Sequence, residues 1–144
     1  MASKLPETKL QNEKGLKLYC RYWNEDEQQE KTDIKGLVLI VHGYCEHCLF
    51  YTELAELLKK QGFYVFSHDH VGHGQSDGDR AHIHSFDEWG VAMLDALMRI
   101  KSSFPEIQWP FLILHGTKDA LCELEGSQLM YDKASSTDKK LKRT

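Results

Sequence analysis

The chain has 144 residues and a formal net charge of −4, and 41% of its residues are hydrophobic, which predicts a single domain over residues 1–144 with one core. The acidic balance argues against a nucleic-acid-binding protein, and the longest strongly apolar run, residues 37–41, is far too short to cross a bilayer. Since residues 1–7 do not have the pattern of a signal peptide, we expect a cytoplasmic protein, or one at a membrane surface, with its four cysteines reduced.

Hydrophobic periodicity predicts alternating strands and helices in the first half of the chain. Residues 16–23 alternate apolar and polar side chains, which is typical of a half-exposed strand. Residues 36–41 are continuously apolar, as in a strand covered on both faces, and residues 63–67 predict another such strand. Between these two strands we predict a helix over residues 52–61. Its helical spacing is carried by three leucines, Leu54, Leu57 and Leu58.

The second half continues the alternation. Ser85 and Glu88 form a capping-box pattern ahead of an apolar stripe, which predicts a helix over residues 85–103. A third buried strand is predicted at 110–114 and a helix at 123–134, and the basic residues near the C-terminus are interpreted as a solvated end. This order predicts the α/β class, with a mainly parallel sheet and helices on both faces.

Polar loops follow the first two buried strands, where α/β proteins place their chemistry. The first contains His42-Gly43-Tyr44-Cys45-Glu46-His47 and the second contains Asp69-His70-Val71-Gly72-His73-Gly74-Gln75-Ser76. Together they resemble the first two active-site loops of the α/β-hydrolases, in the branch of the monoacylglycerol lipases and the serine aminopeptidases. The resemblance implies a partial α/β-hydrolase fold.

The resemblance also implies roles for residues of the first loop. The backbone N–H of Tyr44 matches the first oxyanion-hole donor, which stabilises the charge that develops on a carbonyl oxygen in the transition state. His42 and Gly43 are the loop residues that precede it. The alternative for this loop is an ordinary strand-to-helix turn that needs a glycine.

The second loop matches an architectural signature of the family. The resemblance implies that Gly72 and Gly74 permit tight turns, and that Asp69 and other polar side chains join the loop by hydrogen bonds. We interpret His70 and His73 as structural residues and not as general bases.

A third match is His115-Gly116-Thr117-Lys118-Asp119 after the strand at 110–114. The resemblance makes Asp119 the triad acid, whose role is to orient a histidine and stabilise its imidazolium. The alternative is that Asp119 caps the following helix.

The nucleophile cannot be assigned. Gly74-Gln75-Ser76-Asp77-Gly78 satisfies the literal G-x-S-x-G pattern, but Ser76 lies well past the strand end at about Asp69 and well before the helix at 85–103. A nucleophile elbow requires a sharp turn directly between a strand and a helix, followed by an acid and then a histidine. No histidine follows His115. The sequence therefore predicts neither a nucleophile nor a catalytic base.

We interpret the chain as two blocks of the family pattern, up to Ile107 and from Gln108 onward. The nucleophile elbow, the lid and the C-terminal strand and helix with the catalytic histidine are expected to be missing. We further expect the strand at 110–114 to occupy the vacant place beside the strand at 37–41. Placement anywhere else would refute this expectation.

Three functions remain open at this point. The first is a relative of serine-type ester hydrolases that act on monoacylglycerols, with a small lipid ester as substrate, no cofactor, and little or no turnover. The second is a zinc protein, in which the candidate ligands are His68, His70, His73, Cys45, Cys48, His82 and His84. The third is a non-catalytic interaction variant that binds or competes with its full-length relative. Exposed core surface is also expected to allow self-association.

Overall fold

The computed structural model describes residues 9–24, 34–82, 111–115, 128, 131–132 and 138–143. The predicted helix at 85–103 lies outside these residues, and so does Asp119. Of the predicted helix at 123–134, the described positions 128, 131 and 132 are helical.

Four strands form one sheet in the order β1-β2-β4-β3. Their bounds are β1 Lys9–Gln11, β2 Lys17–Tyr22, β3 Gly36–Ile40 and β4 Phe63–His68. β1 pairs antiparallel with β2, β2 pairs antiparallel with β4, and β3 pairs parallel with β4. The α/β architecture is confirmed, with antiparallel strands at one edge, as is common in larger sheets of this class.

Apolar side chains cover both faces of this sheet because the strands alternate their side chains. On one face the core contains Leu18, Cys20, Tyr22, Tyr64 and Phe66. On the other face it contains Trp23, Ile40, Cys48, Ala55 and Val65. The buried positions of β2 alternate as predicted for a strand of period two.

A single helix is described between β3 and β4. A 3₁₀ turn at Cys48–Tyr51 leads directly into α1, Thr52–Lys60. Ala55 and Leu58 pack against the sheet, but Leu54 and Leu57 are 47% and 61% exposed. The helix is therefore where the leucine spacing predicts it, while two of its three leucines face solvent. No helix in the described part of the chain is long and apolar enough to span a membrane.

The placement of the third buried strand corrects an expectation. β5, Phe111–His115, pairs parallel with β6, Lys139–Arg143, in a separate two-stranded sheet and forms no ladder with β3. The proposed place beside the strand at 37–41 is therefore wrong. The reason is that β6, whose four basic residues around Leu141 are also typical of a solvated end, supplies β5 with a partner strand.

Candidate active-site loops

Two loops leave the carboxyl ends of β3 and β4 side by side. The parallel pairing from Gly36↔Phe63 to Ile40↔Ser67 brings residues 41–47 (the first loop) next to residues 69–80 (the second loop). In α/β sheets this edge is where ligands bind. Hydrogen bonds connect the two loops at several points.

The first loop is closed by the carboxylate of Glu46. Glu46 Oε2 accepts hydrogen bonds from the backbone N–H of Gly43 at 2.9 Å and from the Tyr51 hydroxyl at 2.6 Å. The bond from Tyr51, followed by that from Gly43, lowers the pKa of Glu46, because both stabilise the charged carboxylate. A Cβ at Gly43 would lie 3.2 Å from Glu46 Oε2, so glycine allows the carboxylate to approach.

Tyr44 joins the first loop to the end of the second. Its hydroxyl donates to the carbonyl of Ala81 at 3.0 Å, and its ring lies edge-on to His73 with centroids 5.8 Å apart. A hydrogen bond with Cys45 raises the pKa of Tyr44. The side chain is 39% exposed. The oxyanion role of its backbone N–H stays a prediction.

His42 and His70 lie near the start of the two loops and connect them through a pair of reciprocal hydrogen bonds. The backbone N–H of His70 donates to Nε2 of His42 at 3.0 Å, and Nε2 of His70 lies 3.2 Å from the His42 carbonyl. Nδ1 of His42 lies 2.8 Å from the Gly43 carbonyl, so this imidazole is neutral with its proton on Nδ1. Burial lowers the pKa of both histidines, which keeps their acceptor nitrogens available at neutral pH.

Asp69 connects the second loop to the 3₁₀ turn that directly follows the first loop. It is 1% exposed, and its Oδ1 accepts the backbone N–H of Cys48 at 2.7 Å, while Oδ2 accepts that of Gln75 at 2.8 Å. The sequence did not single out the backbone of Cys48 as a partner. Burial and the neighbouring Asp69 raise the pKa of the Cys48 thiol, so it remains protonated.

Two glycines let the second loop close on itself. Gly72 and Gly74 adopt φ values of +75° and +48°, in the left-handed region that favours glycine. A Cβ at Gly74 would collide with Oδ2 of Asp69, and one at Gly72 with the carbonyl oxygen of Asp79. A side chain at either position would therefore displace the loop.

Ser76 is buried and its hydroxyl is engaged. Its Oγ donates to the Asp69 carbonyl at 2.6 Å and accepts the backbone N–H of Tyr19 at 2.9 Å. The side chain is 1% exposed. The next residue, Asp77, exchanges two further bonds with the backbone of Lys17, so this part of the loop is joined to β2. The serine of the G-x-S-x-G pattern therefore lies inside a loop-to-sheet junction.

The candidate zinc ligands that the structure describes do not converge on one point. The rings of His68 and His70 are perpendicular with centroids 5.2 Å apart, and those of His70 and His73 are 6.3 Å apart. Nδ1 of His73 lies 3.0 Å from the Val71 carbonyl. Among the described residues, no group of three or more His, Cys, Asp or Glu side chains is placed to hold a metal ion. His84 is not among these residues.

Comparison with a solved structure shows the fold class of the chain. The fold is similar to that of a carboxyl esterase from Bacillus coagulans, with a TM-score of 0.69 over 94% of this chain and 43% of the esterase, at 17% sequence identity. This similarity, together with the sheet and its two loops, shows that the chain has a partial α/β-hydrolase fold.

The family follows from the sequence. The model of the serine aminopeptidase S33 family matches residues 32–91 and 87–144, and the chain belongs to that family. It is 36% identical over 119 residues to the monoglyceride lipase of Rattus norvegicus, a match that covers 83% of this chain and 37% of the relative. It is also 40% identical over 98 residues to a monoglyceride lipase homolog of Monkeypox virus, covering 68% of this chain and 33% of the relative. The chain thus spans about a third of the length of these relatives.

Proposed function

We propose that this single-domain chain is a relative of the acylglycerol lipases that retains the loop scaffold of a serine hydrolase and has little or no turnover of its own. The substrate class is taken from the relatives named as monoglyceride lipases, so the ester it would meet is a monoacylglycerol. No cofactor enters this proposal.

The observation that carries the proposal is the environment of Ser76. A nucleophilic hydroxyl must reach the substrate carbonyl and must give its proton to a base. The Ser76 hydroxyl instead donates a hydrogen bond to the backbone carbonyl of Asp69 and accepts one from the backbone N–H of Tyr19, so it is not hydrogen-bonded to a base. Removing the nucleophile of a serine triad costs orders of magnitude in rate, because the members of the triad act together.

The remaining parts of the machinery are proposed as an incomplete set. Tyr44 would contribute one oxyanion donor through its backbone N–H, and Asp119 would be the acid. Neither a nucleophile nor a catalytic base is assigned among the eight histidines and the serines of the 144 residues. The family model matches in two segments that meet at residues 87–91, ahead of the Ile107–Gln108 junction inferred from the sequence, and this supports a chain built of two family blocks.

The test is hydrolysis of a monoacylglycerol by the purified chain, measured as fatty acid released per mole of protein. A full-length monoglyceride lipase is assayed in parallel as the positive control, and a Ser76→Ala variant as the matched blank. We expect a rate equal to that of the blank. A rate clearly above that of the Ser76→Ala variant would overturn the proposal.

A further inference from the structure

Four buried histidines lie against one another where the two loops leave the sheet. His42, His68, His70 and His73 form this histidine cluster, and each is 3% exposed or less. The ring centroids are 4.2 Å apart for His42 and His70, and 5.2 Å apart for His68 and His70. Those of His42 and His73 are 5.6 Å apart. The proposed function uses none of these four rings.

The contact between the two loops requires a neutral imidazole at His42. Its Nε2 accepts the backbone N–H of His70 at 3.0 Å, while its Nδ1 donates to the Gly43 carbonyl at 2.8 Å. A second proton on this ring must go to Nε2, because Nδ1 already carries one. Two N–H groups would then face each other in a buried site, and the hydrogen bond between the loops would be lost.

The rest of the cluster is also neutral while the loops are closed. The ring of His70 donates to the His42 carbonyl, and the ring of His73 donates to the Val71 carbonyl. Burial lowers the pKa of His42, lowers that of His70 well below its usual value, and lowers that of His68 to about 4. Opening of the loops would expose such rings to water, where they bind protons more readily.

Two carboxylates oppose this effect of burial. Asp69 and Glu46 favour the charged form of His42, and Asp69 does the same for His68, but burial has the larger effect on the pKa of each histidine. Titratable side chains also face the cluster or Asp69 from the neighbouring elements, namely Tyr44 from the first loop, Cys20 from β2 and Cys48 from the 3₁₀ turn.

We propose that the histidine cluster is an acid-responsive switch, in which protonation of His42 breaks its hydrogen bond with His70 and separates the first loop from the second. The ladders of the four-stranded sheet are formed by backbone groups, so the sheet stays folded when the loops separate. Opening would alter access to the sheet edge at which α/β proteins bind ligands. In the described part of the chain no group of these side chains is placed to hold a metal ion, so the proton is the cation to which the cluster responds. This inference is independent of the proposed function.

The test is hydrogen exchange of the full chain at pH 7.5 and pH 5, with each amide rate corrected for its intrinsic dependence on pH. The opening constant at the His70 amide should rise by at least about thirtyfold. This is the factor expected for one histidine that titrates near pH 6.5 in the open state and stays neutral in the closed state. At pH 5 the amides of the β3–β4 ladder should remain at least about tenfold better protected than that of His70.

One variant and one matched control separate His42 from the other histidines. His42→Gln keeps an acceptor near the position of Nε2 and has no titrating group, so it should reduce the rise at the His70 amide by about five- to tenfold. His82→Gln removes an exposed histidine outside the cluster and should leave the rise unchanged. Circular dichroism at pH 7.5 verifies the fold of both variants.

An NMR titration of the His42 ring in the wild-type chain gives a second measurement that needs no variant. Its proton uptake should coincide with the loss of protection at the His70 amide, and uptake without that loss would overturn the proposal. The same rise in the wild type and in a folded His42→Gln would also overturn it. So would loss of protection in the β3–β4 ladder together with the His70 amide, because the whole chain would then be unfolding.

Discussion

The hydroxyl of Ser76 accepts the backbone N–H of Tyr19 at 2.9 Å, across 57 residues of sequence. This bond joins the second loop to β2, and the same hydroxyl donates to the carbonyl of Asp69. The serine that satisfies a nucleophile pattern is thus a connector between a loop and the sheet.

Ser76→Ala should reduce stability without changing hydrolysis. The substitution leaves the N–H of Tyr19 and the carbonyl of Asp69 without their partner in a buried site, and we expect a loss of about 1–3 kcal/mol in the free energy of unfolding. Urea denaturation measures it. Thr52→Ala, which removes an exposed hydroxyl bonded to the Leu49 carbonyl, is the control and should cost about 0.5 kcal/mol or less. Equal losses for the two variants would contradict a structural role for Ser76.

Gly74→Ala should be among the most damaging changes in the second loop. The alanine would adopt a left-handed conformation and its Cβ would collide with the carboxylate of Asp69. The left-handed conformation alone costs about 1–2 kcal/mol, and the collision adds to this cost. We therefore expect the free energy of unfolding to fall by about 3 kcal/mol or more.

Gly15→Ala measures the cost of the left-handed backbone conformation without the collision. Gly15 has a φ of +79°, but a Cβ there would be 3.5 Å from Gln11 Nε2, an ordinary contact. Chemical denaturation of both variants should therefore give a clearly larger loss for Gly74→Ala. A similar loss for both would show that the carboxylate does not occupy the space observed beside Gly74.

Asp69→Asn should loosen the connection between the two loops. The carboxylate accepts one N–H on each oxygen, whereas an asparagine offers one oxygen and one NH₂, which cannot accept. One of the two buried backbone N–H groups then faces the NH₂ group of the asparagine. Because neither group can accept a hydrogen bond, we expect a loss of about 1–3 kcal/mol in the free energy of unfolding. Hydrogen exchange should locate the change at the amides of Cys48 and Gln75. Unchanged exchange at both amides would rule out the bridging role of Asp69.

Acidification should destabilise the chain through its buried histidines. Burial lowers the pKa of His68 to about 4, and in the described residues neither of its ring nitrogens has a hydrogen-bond partner. A histidine whose folded pKa lies below its unfolded value takes up its proton more readily in the unfolded chain. Stability is therefore constant above about pH 6.5 and falls as the pH drops towards 4.

The contribution of His68 to this pH dependence of stability can be measured with one variant. Between pH 7.5 and pH 5, His68 alone should contribute a loss of about 2 kcal/mol in the free energy of unfolding. His68→Phe keeps an aromatic ring of similar volume without a titrating group, and should reduce the difference between the two pH values by that amount. An unchanged difference would mean that His68 accepts a proton in the folded chain.

The sequence predicted local elements well and long-range pairings poorly. β2, β3, β4 and α1 lie within one or two residues of their predicted bounds, because the spacing of apolar residues follows directly from strand and helix geometry. β1 has three residues, too few for a periodic pattern. β6 was missed because its charged residues, which suit an edge strand, also suit a solvated end.

In the candidate site, too, local features were predictable from the sequence and long-range contacts were not. The glycine and polar composition of the second loop indicated tight turns, and positive φ values occur at Gly72 and Gly74. The bonds from Ser76 to Tyr19 and from Cys48 to Asp69 join residues far apart in the sequence, and no local pattern specifies them. The pairing of β5 with β6 was missed for that reason as well.

We infer that this chain has no activated serine. Labelling of the purified chain with a fluorophosphonate probe tests it directly, with Ser76→Ala and a full-length monoglyceride lipase as controls. We predict strong labelling of the full-length lipase and equal, background labelling of the chain and its variant. Stoichiometric labelling of the chain that is lost in Ser76→Ala would show that Ser76 is a nucleophile and would contradict the account.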